Sequence, residues 1–223
     1  MAWGGEEGWR PDWGRAAERV LFLFPPVIGV GVIGVLQELD PAVPLLGSAL
    51  VLVGSFGYVA LSVGLAVVLA VDARQLRGAS DWHPRPVVLA LLALLAAPAV
   101  GVYYLYRRHR SIGTPAGWSG WWLAVAVVPA VSLVGTALAL AGALLAIPEL
   151  VFWSLAIAGA VAVGLFPIAL HQDAAYVART GTNWRPNPAT FLGLGFLGIF
   201  VGPLQLAVAL YYLARRHREL DVP

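Results

Sequence analysis

Apolar residues run along this chain in stretches that are too long for the helices of a soluble domain. A helix needs about 20 apolar residues to cross a bilayer. Four regions meet that length, and two of them are long enough for two helices each. The pattern therefore predicts six transmembrane helices, at 20–36, 45–71, 86–106, two within 121–170, and 189–213.

Short polar interruptions divide the two longest regions. Gln37, Glu38 and Asp40 break the first, and Glu149, directly after Pro148, breaks the second. We expect a tight turn at 148–149, although a re-entrant pair of helices would give the same pattern. Tryptophan and tyrosine fall near the proposed span ends, as in the aromatic belts of membrane proteins.

Composition agrees with a bilayer location. Hydrophobic residues make up 60% of the 223 residues, charged residues only 12%, and the mean hydropathy is +0.80. A soluble domain is about half apolar and a quarter charged, so the composition argues strongly against a cytosolic enzyme. The chain has no cysteine, and all 14 basic residues are arginine. Residues 1–19 contain several acidic side chains and predict a retained polar tail rather than a signal peptide.

The strongest signal is an internal repeat. An Asp is followed by Trp-x-Pro-x-Pro, then by an apolar stretch that ends in a Tyr- and Arg-rich segment in which seven of eight positions are identical. The first copy comprises Asp72, Trp82 and residues 103–110, and the second comprises Asp173, Trp184 and residues 211–218. We infer an all-α polytopic membrane protein made of two three-helix units, 20–113 and 117–220.

The number of helices in each unit sets its orientation. Three crossings per unit turn the second copy over, and inverted repeats of this kind are typical of transporters. On that topology the N-terminal side carries nine arginines and the other side five, so the positive-inside rule predicts cytoplasmic N- and C-termini. If 121–170 does not cross twice, the repeats are parallel and both arginine clusters share one face.

The repeated side chains have two interpretations. In the first they are interfacial anchors, with Trp82 and Trp184 at headgroup depth and arginine side chains reaching past them. In the second the arginines pair with Asp72 or Asp173, or form a site for anionic lipid or substrate. The residues concerned are Asp72, Trp82, Arg107, Arg108, His109, Asp173, Trp184, Arg215, Arg216 and His217.

Other motifs give little chemistry. Gly-x-Gly-x-x-Gly occurs twice inside apolar spans, where small residues serve helix packing rather than nucleotide binding. His109 and His171, with Asp173 nearby, could bind a divalent metal, but each histidine is equally suited to the interface. Gln205, two residues after Pro203, is the most notable polar residue within a span. We predict no catalytic residue, no metal and no cofactor.

The repeated signature also carries a resemblance. At the Asp…Trp-x-Pro-x-Pro…Tyr-Leu-Tyr-Arg-Arg-His pattern, over 72–110 and 173–218, the chain resembles a group of small multi-pass membrane proteins of haloarchaea. This resemblance implies a membrane location and a topology, and it implies no chemistry.

Two functional hypotheses follow. The first is a non-catalytic component of the cell membrane or a partner subunit, because no buried charge or catalytic arrangement is recognisable. The alternative is a small inverted-repeat channel or transporter for an uncharged or weakly charged solute, supported by the duplication and the proline-broken helices. The expected partners are the lipid bilayer, anionic lipid headgroups, and a second copy or another membrane protein, and no nucleic acid.

Overall fold

The structure, a computed structural model, describes residues 12–37, 45–78, 81–115 and 117–220. Within these ranges the chain contains helices and no strand. The seven helices are α1 (Trp13–Gln37), α2 (Leu46–Leu76), α3 (Pro86–Ile112), α4 (Trp121–Leu144), α5 (Pro148–Val177), α6 (Pro188–Phe200) and α7 (Gly202–Leu220). The acidic Glu38 and Asp40, and most of the predicted tail, lie outside the described residues.

Five of these helices, α1 to α5, are long and apolar enough to cross a membrane. Their apolar side chains face outward more often than inward; Phe56 is 72% exposed and Leu95 81% exposed. Outward apolar surface on this scale is the property of a protein that is solvated by lipid. The chain is therefore an all-helical, multi-pass membrane protein.

Small residues bring neighbouring helices together. A Cβ atom added to Gly54 of α2 would lie 2.7 Å from the Cα atom of Gly31 in α1, and Gly135 of α4 packs against Ala158 of α5. Such close backbone contacts are typical of helix pairs in membranes. The α4–α5 pair, joined by a short turn before Pro148, matches the two helices predicted within 121–170.

The predicted sixth span, 189–213, is not one helix. It breaks at Val201 into α6 and α7, and the rings of Phe191 and Tyr212 lie only 4.9 Å apart. A straight helix would separate these residues by about 31 Å at about 1.5 Å per residue, so α7 folds back along α6. Pro203 explains the break, because it has no N–H group to continue the helix and its ring restricts the residue before it.

Helix α3 bends in the same way. Ala96, two residues before Pro98, has non-helical angles of φ −147° and ψ 57°. Trp82, which precedes α3, stacks on Tyr104 at 5.2 Å, whereas a straight helix would carry Tyr104 about 27 Å beyond Pro86. The second half of α3 therefore returns towards the end of α2.

Because both broken elements fold back, the two arginine-rich segments lie at one end of the bundle. Glu18 near the start of α1 contacts His109 near the end of α3 and His171 near the end of α5. Asn187, directly before α6, donates a hydrogen bond to the Tyr106 carbonyl at 3.0 Å. We call the end of the bundle that carries residues 103–110 and 211–218 the arginine-rich end. The arrangement differs from the predicted inverted repeats, which would place residues 103–110 and 211–218 at opposite ends.

Candidate functional site

The repeated aspartate of the first copy lies in a buried hydrogen-bonded cluster. Asp72, 2% exposed near the end of α2, accepts hydrogen bonds through Oδ2 from the Tyr104 hydroxyl at 2.7 Å and from Arg108 Nε at 2.8 Å. Both donors come from the second half of α3, four residues apart, so they occupy one helix face. This cluster joins α2 to the returning part of α3.

The second copy repeats this geometry closely. Asp173 of α5, fully buried, accepts through Oδ2 from the Tyr212 hydroxyl at 2.6 Å and from Arg216 Nε at 2.9 Å. Tyr212 and Arg216 again stand four residues apart, here on α7. The same three side-chain types thus join α5 to α7 and α2 to α3.

Each Trp-x-Pro-x-Pro segment places its tryptophan over the tyrosine of its own cluster. Trp82 lies 5.2 Å from the Tyr104 ring, and Trp184 lies 5.4 Å from the Tyr212 ring. The first arginine of each pair then stacks on the tryptophan: Arg107 and Arg215 both place Cζ 5.7 Å from the ring centre. The prolines keep this segment extended before the next helix begins, which allows the ring to reach back.

These contacts distinguish the two interpretations of the motif. Arg108 and Arg216 pair with the aspartates, as the second interpretation predicts, and Arg107 and Arg215 make cation–π contacts with tryptophan. Removing one partner of a buried ion pair leaves an uncompensated charge and costs about 3–5 kcal/mol. The aspartates are therefore part of the architecture of each unit.

The two copies differ at their histidines. His217 is exposed, whereas His109 is 5% exposed and places Nε2 3.0 Å from the Glu18 carboxylate. His171, fully buried on α5, places Nε2 3.8 Å from the same oxygen, and the two imidazole rings are 5.8 Å apart. Glu18, His109 and His171, which we call the Glu–His–His cluster, thus join α1, α3 and α5.

A polar pocket of about 140 Å³ lies against Glu18 at the arginine-rich end. Arg15 and Arg19, one helical turn apart on α1, line it together with Gln172 of α5. A buried carboxylate that lines a pocket together with other polar groups is a candidate binding group. Of the Glu–His–His cluster, Glu18 lines this pocket.

Sequence reasoning brought His109 and His171 together but proposed Asp173 as their acidic partner. In the structure Asp173 binds Tyr212 and Arg216, and the acidic partner of the histidines is Glu18. Glu18 was assigned to the polar tail, yet α1 begins at Trp13 and buries it. The signal for this longer helix is Ala16 and Ala17, two good helix formers directly before Glu18.

Gln205 lies at the bend between α6 and α7. It is 4% exposed, its Cα packs against Gly198, and its side-chain Nε2 has no hydrogen-bond partner within the described part of the chain. Close by, an apolar pocket of about 290 Å³ lies between α1, α5 and the bends of α3 and α6, with Phe24, Pro98 and Phe196 in its wall. The broken helices therefore meet an apolar space, away from the polar pocket.

Comparison of this chain with protein-family models, with curated proteins and with solved structures finds no match. The resemblance to haloarchaeal membrane proteins stays a prediction.

Proposed function

We propose that the protein is a non-catalytic component of the cell membrane whose arginine-rich end binds anionic lipid headgroups at the cytoplasmic surface. In this topology α1, α2, α4 and α5 cross the bilayer, and α3 and the α6–α7 pair enter and return. The 13 residues of α6 cover about 20 Å, which is less than the roughly 30 Å of a hydrocarbon core. The two units are then parallel copies of one three-helix fold.

The distribution of arginine carries this proposal. Thirteen of the 14 arginines belong to the helix ends and connections of the arginine-rich end, and Arg10 lies outside the described residues. Six described acidic residues share that end, which leaves a surplus of seven positive charges (thirteen minus six). At the other end the described connection, 145–147, is followed by Glu149. The positive-inside rule favours a cytoplasmic location for so basic an end.

The charge at this surface is available to headgroups. Asp72 and Asp173 neutralise only Arg108 and Arg216, whereas Arg107, Arg110 and Arg218 are exposed. Each arginine or lysine near an anionic membrane surface contributes about 1 kcal/mol of attraction. An anionic leaflet therefore suits this end better than a zwitterionic one.

A labelling experiment tests the topology. Single cysteines at Ser111, Glu219 and Leu145 can be labelled with an impermeant maleimide in sealed, oriented vesicles, because the chain has no cysteine of its own. We expect Ser111 and Glu219 to label from the same side and Leu145 from the opposite side. Labelling of Ser111 and Glu219 from opposite sides would refute the parallel topology.

Lipid binding can be measured by native mass spectrometry from mixed micelles. We expect more phosphatidylglycerol than phosphatidylcholine on the natural protein, and a loss of this preference in the double variant Arg110→Gln/Arg218→Gln. Glu149→Gln, at the opposite end, serves as the control and should keep the preference. Equal binding of both lipids by the natural protein would contradict a headgroup-binding role.

A second candidate, a channel or transporter for an uncharged solute, is favoured by the two folded-back helices and the apolar pocket at their bends. Opposing it, the hydroxyls of Ser132, Thr136 and Ser154 donate to carbonyls of their own helices, so these three side chains offer a solute no free donor. Solute flux in proteoliposomes that is lost in Gln205→Leu would favour transport over the headgroup-binding role.

A further inference from the structure

We propose that the Glu–His–His cluster binds one divalent transition-metal ion, with Zn²⁺ as the best-suited ion. The cluster supplies two imidazole nitrogens and one carboxylate oxygen, and these three atoms lie within 4.8 Å of one another. The headgroup-binding role proposed above does not use these side chains.

The distances suit a shared ion. Ligand atoms about 2.0–2.1 Å from a tetrahedral Zn²⁺ stand roughly 3.3 Å apart. Glu18 Oε1 lies 3.0 Å from His109 Nε2 and 3.8 Å from His171 Nε2. One distance is slightly shorter and the other slightly longer than the ideal spacing.

Unpartnered nitrogen atoms are the second observation. Three of the four ring nitrogens of His109 and His171 have no hydrogen-bond partner within the described residues, and His171 Nε2, which is directed at Glu18, is one of them. Both histidines are at least nine-tenths buried. A buried polar atom without a partner is destabilising, and a metal bond at His171 Nε2 would satisfy that atom.

Charge also favours a cation here. Glu18 is 5% exposed, and its nearest polar contacts in the cluster are two imidazoles, which are neutral when they act as metal ligands. A buried carboxylate is strongly destabilised unless it is paired or bound to metal. A divalent ion would balance Glu18 and satisfy His171 at the same time.

The donor set restricts the identity of the ion. Two nitrogen ligands and one oxygen ligand, without cysteine, suit Zn²⁺ and its first-row neighbours, whereas Ca²⁺ and Mg²⁺ require oxygen ligands throughout. Three protein ligands leave one tetrahedral position open, and the polar pocket beside Glu18 provides space for it. Arg15 and Arg19 line that pocket, so an anion or hydroxide is the expected fourth ligand.

Binding would connect the two units. Glu18 lies on α1 and His109 on α3 of the first unit, whereas His171 lies on α5 of the second, so the ion would hold these three helices together. His217 occupies the position of His109 in the repeated segment but is exposed. It therefore provides a matched control for the loss of one histidine.

The test uses the full chain in detergent, with any affinity tag removed and metals stripped by a chelator. We expect isothermal titration to show one Zn²⁺ per chain, with no response to Ca²⁺ or Mg²⁺ at the same concentration. Loss of even an outer partner of a metal ligand costs 10–100-fold in affinity, so Glu18→Gln and His171→Ala should weaken binding by at least about tenfold. His217→Ala should bind as the natural protein does.

A spectroscopic measurement on the natural protein keeps the test independent of folding defects in the variants. Co²⁺ should give the visible absorption of a tetrahedral site, and added Zn²⁺ should displace that absorption. The proposal is overturned if the natural protein takes up no Zn²⁺ above background. It is also overturned if Glu18→Gln, folded as judged by circular dichroism, binds Zn²⁺ as tightly as His217→Ala.

Discussion

Asp173→Asn removes the negative charge from the more deeply buried aspartate and keeps the shape of its side chain. In the natural protein Asp173 is fully buried and accepts from Tyr212 and Arg216. After the substitution the Arg216 guanidinium, whose side chain is 4% exposed and which stacks on Trp122 at 5.6 Å, loses the charge of the Asp173 carboxylate at a buried site. The stability of the α5–α7 contact should therefore fall sharply.

The cluster around Asp72 in the first copy provides a comparison for this prediction. Breaking a buried ion pair by removing one partner costs about 3–5 kcal/mol, and we expect a loss in this range for Asp173→Asn. Arg108 has a 12% exposed side chain and a second carboxylate, Asp12, at 3.3 Å. Asp72→Asn leaves Arg108 with that partner and with water, so we expect a smaller loss of about 1–3 kcal/mol.

Reversible unfolding by SDS in mixed micelles measures both losses. Tryptophan fluorescence follows the unfolding, and two of the nine tryptophans, Trp82 and Trp184, stack on the two tyrosines of the clusters. The natural protein and both variants should be measured at the same protein concentration and lipid ratio. Equal losses for Asp72→Asn and Asp173→Asn, or a larger loss for Asp72→Asn, would refute the assignment of stability by burial.

Four further substitutions, one of them a control, test the packing of the second unit. Gly195→Ala would place a Cβ 2.6 Å from the Cα of Pro167 and should lower the temperature of thermal unfolding, while Gly164→Ala, with nothing within 4 Å of the added atom, should not. Asn187→Ala removes a side chain that caps α6 and donates to the Tyr106 carbonyl, and unfolding should show a loss of about 1–2 kcal/mol. Gln205→Leu should keep or raise the unfolding temperature, because the Nε2 it removes is buried without a partner in the described chain; a clear decrease would contradict this.

The apolar pattern by itself determined that the chain is a multi-pass helical membrane protein. Each residue of a membrane-spanning helix contributes to lipid solvation by its own hydrophobicity. The length of an apolar stretch therefore predicts a span without knowledge of which helices pack against it. The sequence also indicates where α3 and α6 begin, because a proline stands at the first position of each helix. This signal is local too. Pairing of the arginines with the repeated aspartates is one of two interpretations of the sequence; the structure shows it in both copies and assigns it to Arg108 and Arg216.

Only the tertiary structure decided the direction of the third element in each unit. Pro98 and Pro203 predict a kink in their helices. A proline that removes one hydrogen bond is, however, compatible with a slight bend or with a full reversal of the chain direction. The packing of Tyr104 on Trp82 and of Tyr212 on Phe191 selects the reversal. Likewise, residues 103–110 and 211–218 are nearly identical, yet α1 buries His109 beside Glu18 and leaves His217 exposed. A side chain's environment depends on what other segments pack against it, and the local sequence does not contain that information.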